Sequence, residues 1–190
     1  MSDFSTLYDY CQNLQPKVST KKIADKVKEI RGKCPKIIKT SGDNGILRGF
    51  FVSSDNLTHN VYKNLGTDII FINRELNHCW YRFVYTKELM HIFDSPLEHV
   101  NTDECFKTLL SDFEVQSPIN NNAPFNSETL AFWRALSCLC PEKSRQEFLI
   151  AYTKGHIDTY GIALQLRIPE QYIPKLLDNN FLKIIEKVKS

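Results

Sequence analysis

The chain has 190 residues, a formal net charge of +2 and an apolar share of 42%. That length suits one compact domain with a sizeable core, and so small a net charge does not by itself point to a polyanionic partner. No apolar run approaches the length of a membrane span. Met1-Ser2-Asp3-Phe4-Ser5 begins polar and acidic rather than as a signal peptide. The expectation is a cytoplasmic protein with no membrane partner.

The predicted elements follow in chain order. Ser19 or Thr20 caps a helix reaching about Arg31, with Ile23, Val27 and Ile30 as its buried stripe and Gly32 closing it. Pro35 stops its continuation. Nine Lys/Arg lie between Lys17 and Lys39, against Asp25 and Glu29 alone. A solvated helix face is the expected meaning, and contact with nucleic acid the competing one. Strand text comes next, at Ile37-Ile38, Gly45–Val52, His59–Tyr62 and Asp68–Asn73, separated by Gly-, Asn- and Ser-rich turns. The run Ile69-Ile70-Phe71-Ile72 is continuously apolar, as an interior strand would be.

From about Trp80 to Phe93 the text turns helical, and Pro96 ends it. A short helix is expected over Cys105–Phe113. Asn126 or Ser127 caps another that Pro141 stops, and further helices are expected over Ser144–Thr153, Asp158–Leu166 and from Phe181. The segment Ile157–Leu177 has the outline of a helix-turn-helix, but Pro174 falls inside its second helix and only Arg167 and Lys175 are basic, so packing is its expected role. The order of helix, small sheet and helices predicts an α+β fold whose sheet is mainly antiparallel or mixed. It is read as one domain over 1–190, with a core over about 15–141 and a helical part over about 142–190.

The chemistry-bearing text is Lys87-Glu88-Leu89-Met90-His91. A zinc-peptidase helix reads His-Glu-x-x-His: two His one turn apart grip the metal, and the Glu is general base for a metal-bound water. Lys87 stands where the first His belongs, and an ammonium has no lone pair to give a metal. Replacement ligands would have to come from His59, His78, His99 or His156, none fixed by spacing. Glu88 and His91 at i, i+3 can also simply pair on one helix face. The preferred reading is that the Lys87 ammonium stands in for a metal cation, paired with Glu88 or another acid. The six cysteines match no zinc-ribbon or redox spacing; Cys138 and Cys140 read as small core residues, and Cys79 beside His78 forms no readable nucleophile pair. Tyr81 and Tyr85 belong with core packing, with an oxyanion role only in an active relative.

Together these features resemble the ImmA/IrrE family of zinc-metallopeptidase-like proteins over roughly residues 20–175. The resemblance lies in the strand ending in Asn73, in Arg82-Phe83 at the head of the motif helix, in Glu88-Leu89-x-His91, and in Ala131, Ala135, Leu139 and Pro141 downstream. It implies a zincin-like active-site helix packed on the sheet, zinc as cofactor, and cleavage of a regulatory protein bound as an extended peptide beside that helix. The departures are equally specific. Lys87 replaces the first ligand, Met90 replaces a Gly, and the third ligand, a Glu, falls on Leu130. Glu128 is the nearest acid, but two residues are about 200° of helix rotation, so it is expected to point elsewhere. The resulting expectation is a protein-binding regulator with an eroded metal site and no cofactor, with Arg82 as a structural anchor. The alternatives are an active zinc endopeptidase with Glu88 as base and His91 as a ligand, and a nucleic-acid-associated regulator.

Overall fold

In the computed structural model, which describes residues 2–41, 48–54, 66–95 and 123–189, the most apolar stretch of the chain is the middle strand of a sheet. β1 (Lys36–Thr40), β2 (Gly49–Val52) and β3 (Ile69–Asn73) stand in the order β1-β3-β2. β3 runs parallel to β1 and antiparallel to β2, with Ile70 beside Ile37 on one side and Phe51 on the other. A central strand covered on both faces favours apolar residues at every position, and Ile69, Ile70 and Ile72 are fully buried. The sheet is therefore mixed and the fold α+β, as the element order predicts.

Two helices precede the sheet. The second, α2 (Thr20–Arg31), has the expected bounds and ends on Gly32, whose φ of 71° is the left-handed cap glycine adopts without strain. The first, α1 (Asp3–Gln12), is not among the expected elements. Its signals are present in the sequence: the Ser2 side chain accepts from the Ser5 N–H, and Phe4, Leu7, Tyr8 and Cys11 recur at helical spacing and are buried. The expected strand over His59–Tyr62, the helix over Cys105–Phe113 and Pro96 lie outside the described residues.

After the sheet, Asn77 caps α3 (His78–Met90) by accepting from the Trp80 N–H, and α3 runs into a 3-10 turn, His91–Phe93. Among the described residues, α4 (Ala123–Leu139), α5 (Glu142–Thr153) and α6 (Thr159–Leu166) follow. A 3-10 turn at Glu170–Tyr172, α7 (Ile173–Leu176) and α8 (Phe181–Lys189) complete the chain. Two expectations are corrected. α4 starts before Ser127, so neither Asn126 nor Ser127 is its cap. The second helix of the apparent helix-turn-helix shrinks to a 3-10 turn and the single turn of α7, with Pro174 in its first turn rather than its interior. Ile168, Ile173 and Leu176 are buried in the core, which is packing.

α3 is the element on which the others converge. Small residues on α4, Ala131 and Ala135, are fully buried and let that helix approach closely. Arg82 is buried and ties α3 to distant chain. Its guanidinium donates to the Val18 carbonyl at 2.9 Å, to Arg167 at 3.1 Å and to Leu166 at 3.4 Å. The last two carbonyls close α6, whose C-terminal dipole end favours a cation. Arg82 thus ties the first half of α3 to chain on both its N-terminal and C-terminal sides. On the sheet side, β2 meets α3 at Gly49. A Cβ there would lie 2.4 Å from Val84 Cγ1 and 3.1 Å from Glu88 Cγ. Gly49→Ala should therefore cost about 1–3 kcal/mol, the usual penalty of overpacking; urea unfolding of the variant beside wild type measures it, and an unchanged midpoint would show that β2 does not press on α3.

Candidate functional site

One end of α3, the 3-10 turn after it and the start of α4 bring six charged or titratable side chains together. Lys87 Nζ lies 2.8 Å from Glu88 Oε1 and 2.5 Å from Glu128 Oε2. The other oxygen of each carboxylate faces His91: Glu128 Oε1 is 3.3 Å and Glu88 Oε2 3.8 Å from His91 Nε2. The two glutamates are thus sandwiched between an ammonium and an imidazole. On its far side, His91 Nδ1 is 2.7 Å from Asp94 Oδ2 and 3.0 Å from Ser127 Oγ. Ser127 donates to the same Asp94 oxygen at 2.5 Å, and Arg134 Nη1 donates to Asp94 Oδ1 at 2.9 Å. Glu88, His91, Asp94 and Ser127 are all buried, and the Phe51 ring stacks on His91 at 6.0 Å between centroids.

The burial of so many charges requires that they balance. Asp94 fixes the imidazole by accepting from Nδ1–H, which leaves Nε2 facing two carboxylates. A lone pair there would be repelled, so a proton or another cation belongs between them. Burial opposes charge on His91, but the Glu128 carboxylate, the Asp94 hydrogen bond and Glu88 outweigh it, and its pKa is pushed up to about 10. Burial likewise opposes the Lys87 ammonium, yet Glu128 and Glu88 hold its pKa above the ordinary lysine value. Burial would raise the Glu128 carboxyl; Lys87 and His91 instead hold it well below the usual carboxylate range. With His91 protonated, Lys87, His91 and Arg134 balance Glu88, Glu128 and Asp94.

Several expectations change. Glu128 points into the site, not away from it. The face of α4 that meets α3 at this level carries Ser127 and Glu128, while Leu130, about 200° from Glu128, packs partly buried against the core. Met90 is fully buried in that core. Tyr85 lies about 200° around α3 from Lys87. It stacks on Tyr81 at 6.2 Å, and burial beside Cys34 pushes its hydroxyl up to about 12, so it stands outside the site. His78 and His156 are exposed, and His59 and His99 lie outside the described residues. Asp94, Ser127 as a partner and Arg134 were not anticipated. Their signals are the i, i+3 spacing of His91 and Asp94 and the two-turn spacing of Ser127 and Arg134.

Two chemistries can be weighed against this geometry. Ser127, His91 and Asp94 do not form a nucleophilic triad, because Ser127 and Asp94 both address Nδ1, whereas a triad puts the nucleophile on Nε2. A divalent cation fits the donor set better. Glu88, His91 and Glu128 each offer one ligand atom, all within 4.8 Å of one another. His91 Nε2 is buried and makes no hydrogen bond, with Glu128 Oε1 3.3 Å away. A carboxylate on the opposite nitrogen is the usual orienting partner of a metal-bound His.

Fold and site define a class: an α+β protein with a buried, balanced ion cluster on the helix that covers its sheet. No family model, curated protein or solved structure matches the chain.

The cluster makes stability depend on pH. Because folding raises the His91 pKa, its contribution is complete below the ordinary value near 6.5 and lost as pH climbs through about 10. Because folding lowers the Glu128 pKa, that contribution is present above the ordinary carboxylate range and lost on acidification. Calorimetric Tm should fall as pH is raised from about 6.5 to 10, and His91→Asn should flatten that slope; equal slopes in both proteins would place the titration elsewhere.

Proposed function

We propose that this chain is a non-catalytic, protein-binding regulator on an ImmA/IrrE-like metallopeptidase scaffold, with an internal ion cluster in place of the metal. The observation that carries the reading is the charge count. Two adjacent glutamates, Glu88 buried and Glu128 largely so, need two positive charges. The Lys87 ammonium and the His91 proton supply the two that a divalent metal would. Adding such an ion in place of the His91 proton alone would leave a net positive charge in a buried site, unless Lys87 swung out. Glu88, the residue that would be the general base, has one oxygen on Lys87 and turns the other toward His91. The order of parts is in keeping with this scaffold. A strand ends at Asn73, α3 follows with Arg82, Glu88 and His91, and α4 packs on it through Ala131 and Ala135. On this reading the ancestral substrate cleft has become a docking surface for an extended segment of a regulatory protein. The five described cysteines are unpaired, which suits a reducing, cytoplasmic setting.

The orphaned His91 Nε2 supports a second reading, in which Glu88, His91 and Glu128 hold zinc and the protein is an active endopeptidase. When bound, that ion would activate water. Its protein ligands would be two carboxylates and one imidazole, with Asp94 and Arg134 orienting His91.

Elemental analysis separates the two. Protein purified without chelator should carry zinc well below one equivalent. Lys87→His, which removes the competing charge and adds a donor, should bind zinc at least about tenfold tighter than wild type. Stoichiometric zinc in the wild type, retained through dialysis against a chelator, would transfer the conclusion to the second reading.

A further inference from the structure

The sheet has one edge that the ion cluster does not involve. Lys36 N–H donates to the Asp68 carbonyl and Arg74 N–H to the Thr40 carbonyl. In a parallel ladder the residues at 36, 38 and 40 therefore turn their backbone groups toward β3, and Ile37 and Lys39 turn theirs outward. No strand lies beyond β1 among the described residues. Lys36, Ile37 and Lys39 are exposed, and Ile37 shows 43% of its surface, a large apolar side chain at the rim of the sheet. Ile37 and Lys39 share the face of Ile70 and Ile72, and Lys36, Ile38 and Thr40 the other. Lys33, just before β1, is ion-paired with Asp68, and Arg74, just beyond its end, donates to the Ser41 hydroxyl, so the exposed charge of the edge is that of Lys36 and Lys39.

We propose that β1 is a docking edge for an acidic extended peptide, which adds a strand to the sheet with the pattern acid–apolar–apolar–acid. The text Lys36-Ile37-Ile38-Lys39 dictates that pattern, since directly opposed side chains on paired strands interact. A second copy answers neither charge: β1, Lys36–Thr40, carries no acid, so an antiparallel β1–β1 pair leaves Lys36 and Lys39 without an opposite charge across the ladder. A nucleic acid would meet the charge, and a phosphate could accept from one outward N–H, but it has no second strand of alternating donors and acceptors to match those of Ile37 and Lys39. This inference is independent of the cluster at Lys87, with which β1 shares no hydrogen bond or ion pair among the described residues.

The test is fluorescence anisotropy with a labelled peptide reading Thr-Glu-Val-Val-Glu-Thr. Wild type should bind it at least about tenfold tighter than the scramble Glu-Glu-Val-Val-Thr-Thr. Ile37→Pro removes an outward N–H that no ladder bond uses, and should abolish binding with little change in Tm. Lys36→Glu with Lys39→Glu should lose this peptide and gain Thr-Lys-Val-Val-Lys-Thr, which keeps the test decisive should the proline variant fail to fold. No binding at millimolar peptide, equal binding of the scramble, or equal binding of oligothymidylate that survives Ile37→Pro would each overturn the proposal. So would dimerisation of the free protein through β1 in sedimentation.

Discussion

Two carboxylates placed side by side in a protein interior lose their water and repel each other, and the fold must answer both costs. In this chain Glu88 and Glu128 come from different helices, so the problem arises only once α3 and α4 pack. The answer is equally distributed. Lys87 approaches from one side and protonated His91 from the other, while Asp94, fixed by Arg134 and Ser127, keeps the imidazole in place. The pair is therefore a contact that neither helix could sustain alone. Breaking one partner of such a buried arrangement usually costs about 3–5 kcal/mol, far more than an exposed ion pair contributes.

Everything around the cluster serves to hold that contact in place. Ala131 and Ala135 bring the helix axes close, and Gly49 lets β2 lie against the Glu88 side of α3. Phe51 covers the imidazole with an apolar face and excludes water from it. A site with this degree of enclosure gains electrostatic strength from its low dielectric. The same enclosure makes the choice between a proton and a metal ion at His91 Nε2 a matter of net charge rather than of donor geometry.

Much of the fold was legible in the sequence because its signals are local. Gly32 closes α2, the continuous Ile69–Ile72 run marks an inner strand, and Pro141 ends α4. The site was legible only in part. Lys87, Glu88 and His91 lie within five residues on one helix, so their meeting follows from helical spacing alone. Glu128 was read in the wrong direction because a ligand position assigned by resemblance fixed the face of α4, and the true face depends on how two helices cross. Asp94 and Arg134 were missed for a related reason. A buried carboxylate is visible in a sequence only through the cation that will neutralise it, and here that cation lies 40 positions away. α1 has equally local signals, a Ser2 cap and Phe4, Leu7, Tyr8 and Cys11 at helical spacing.

Arg82 carries a consequence of a different kind. Its donors reach carbonyls separated from it by 64, 84 and 85 positions, on both the N-terminal and the C-terminal sides. A guanidinium left in the interior without them would face a desolvation cost that no local adjustment removes. The helices after α5 therefore cannot peel away as a separate unit while α3 stays folded. Hydrogen exchange at the backbone of α6 and of α3 should follow one opening event, and a disturbance at Leu166 would be felt at Glu88 as a change in how often the whole helix is formed, not in how it is shaped.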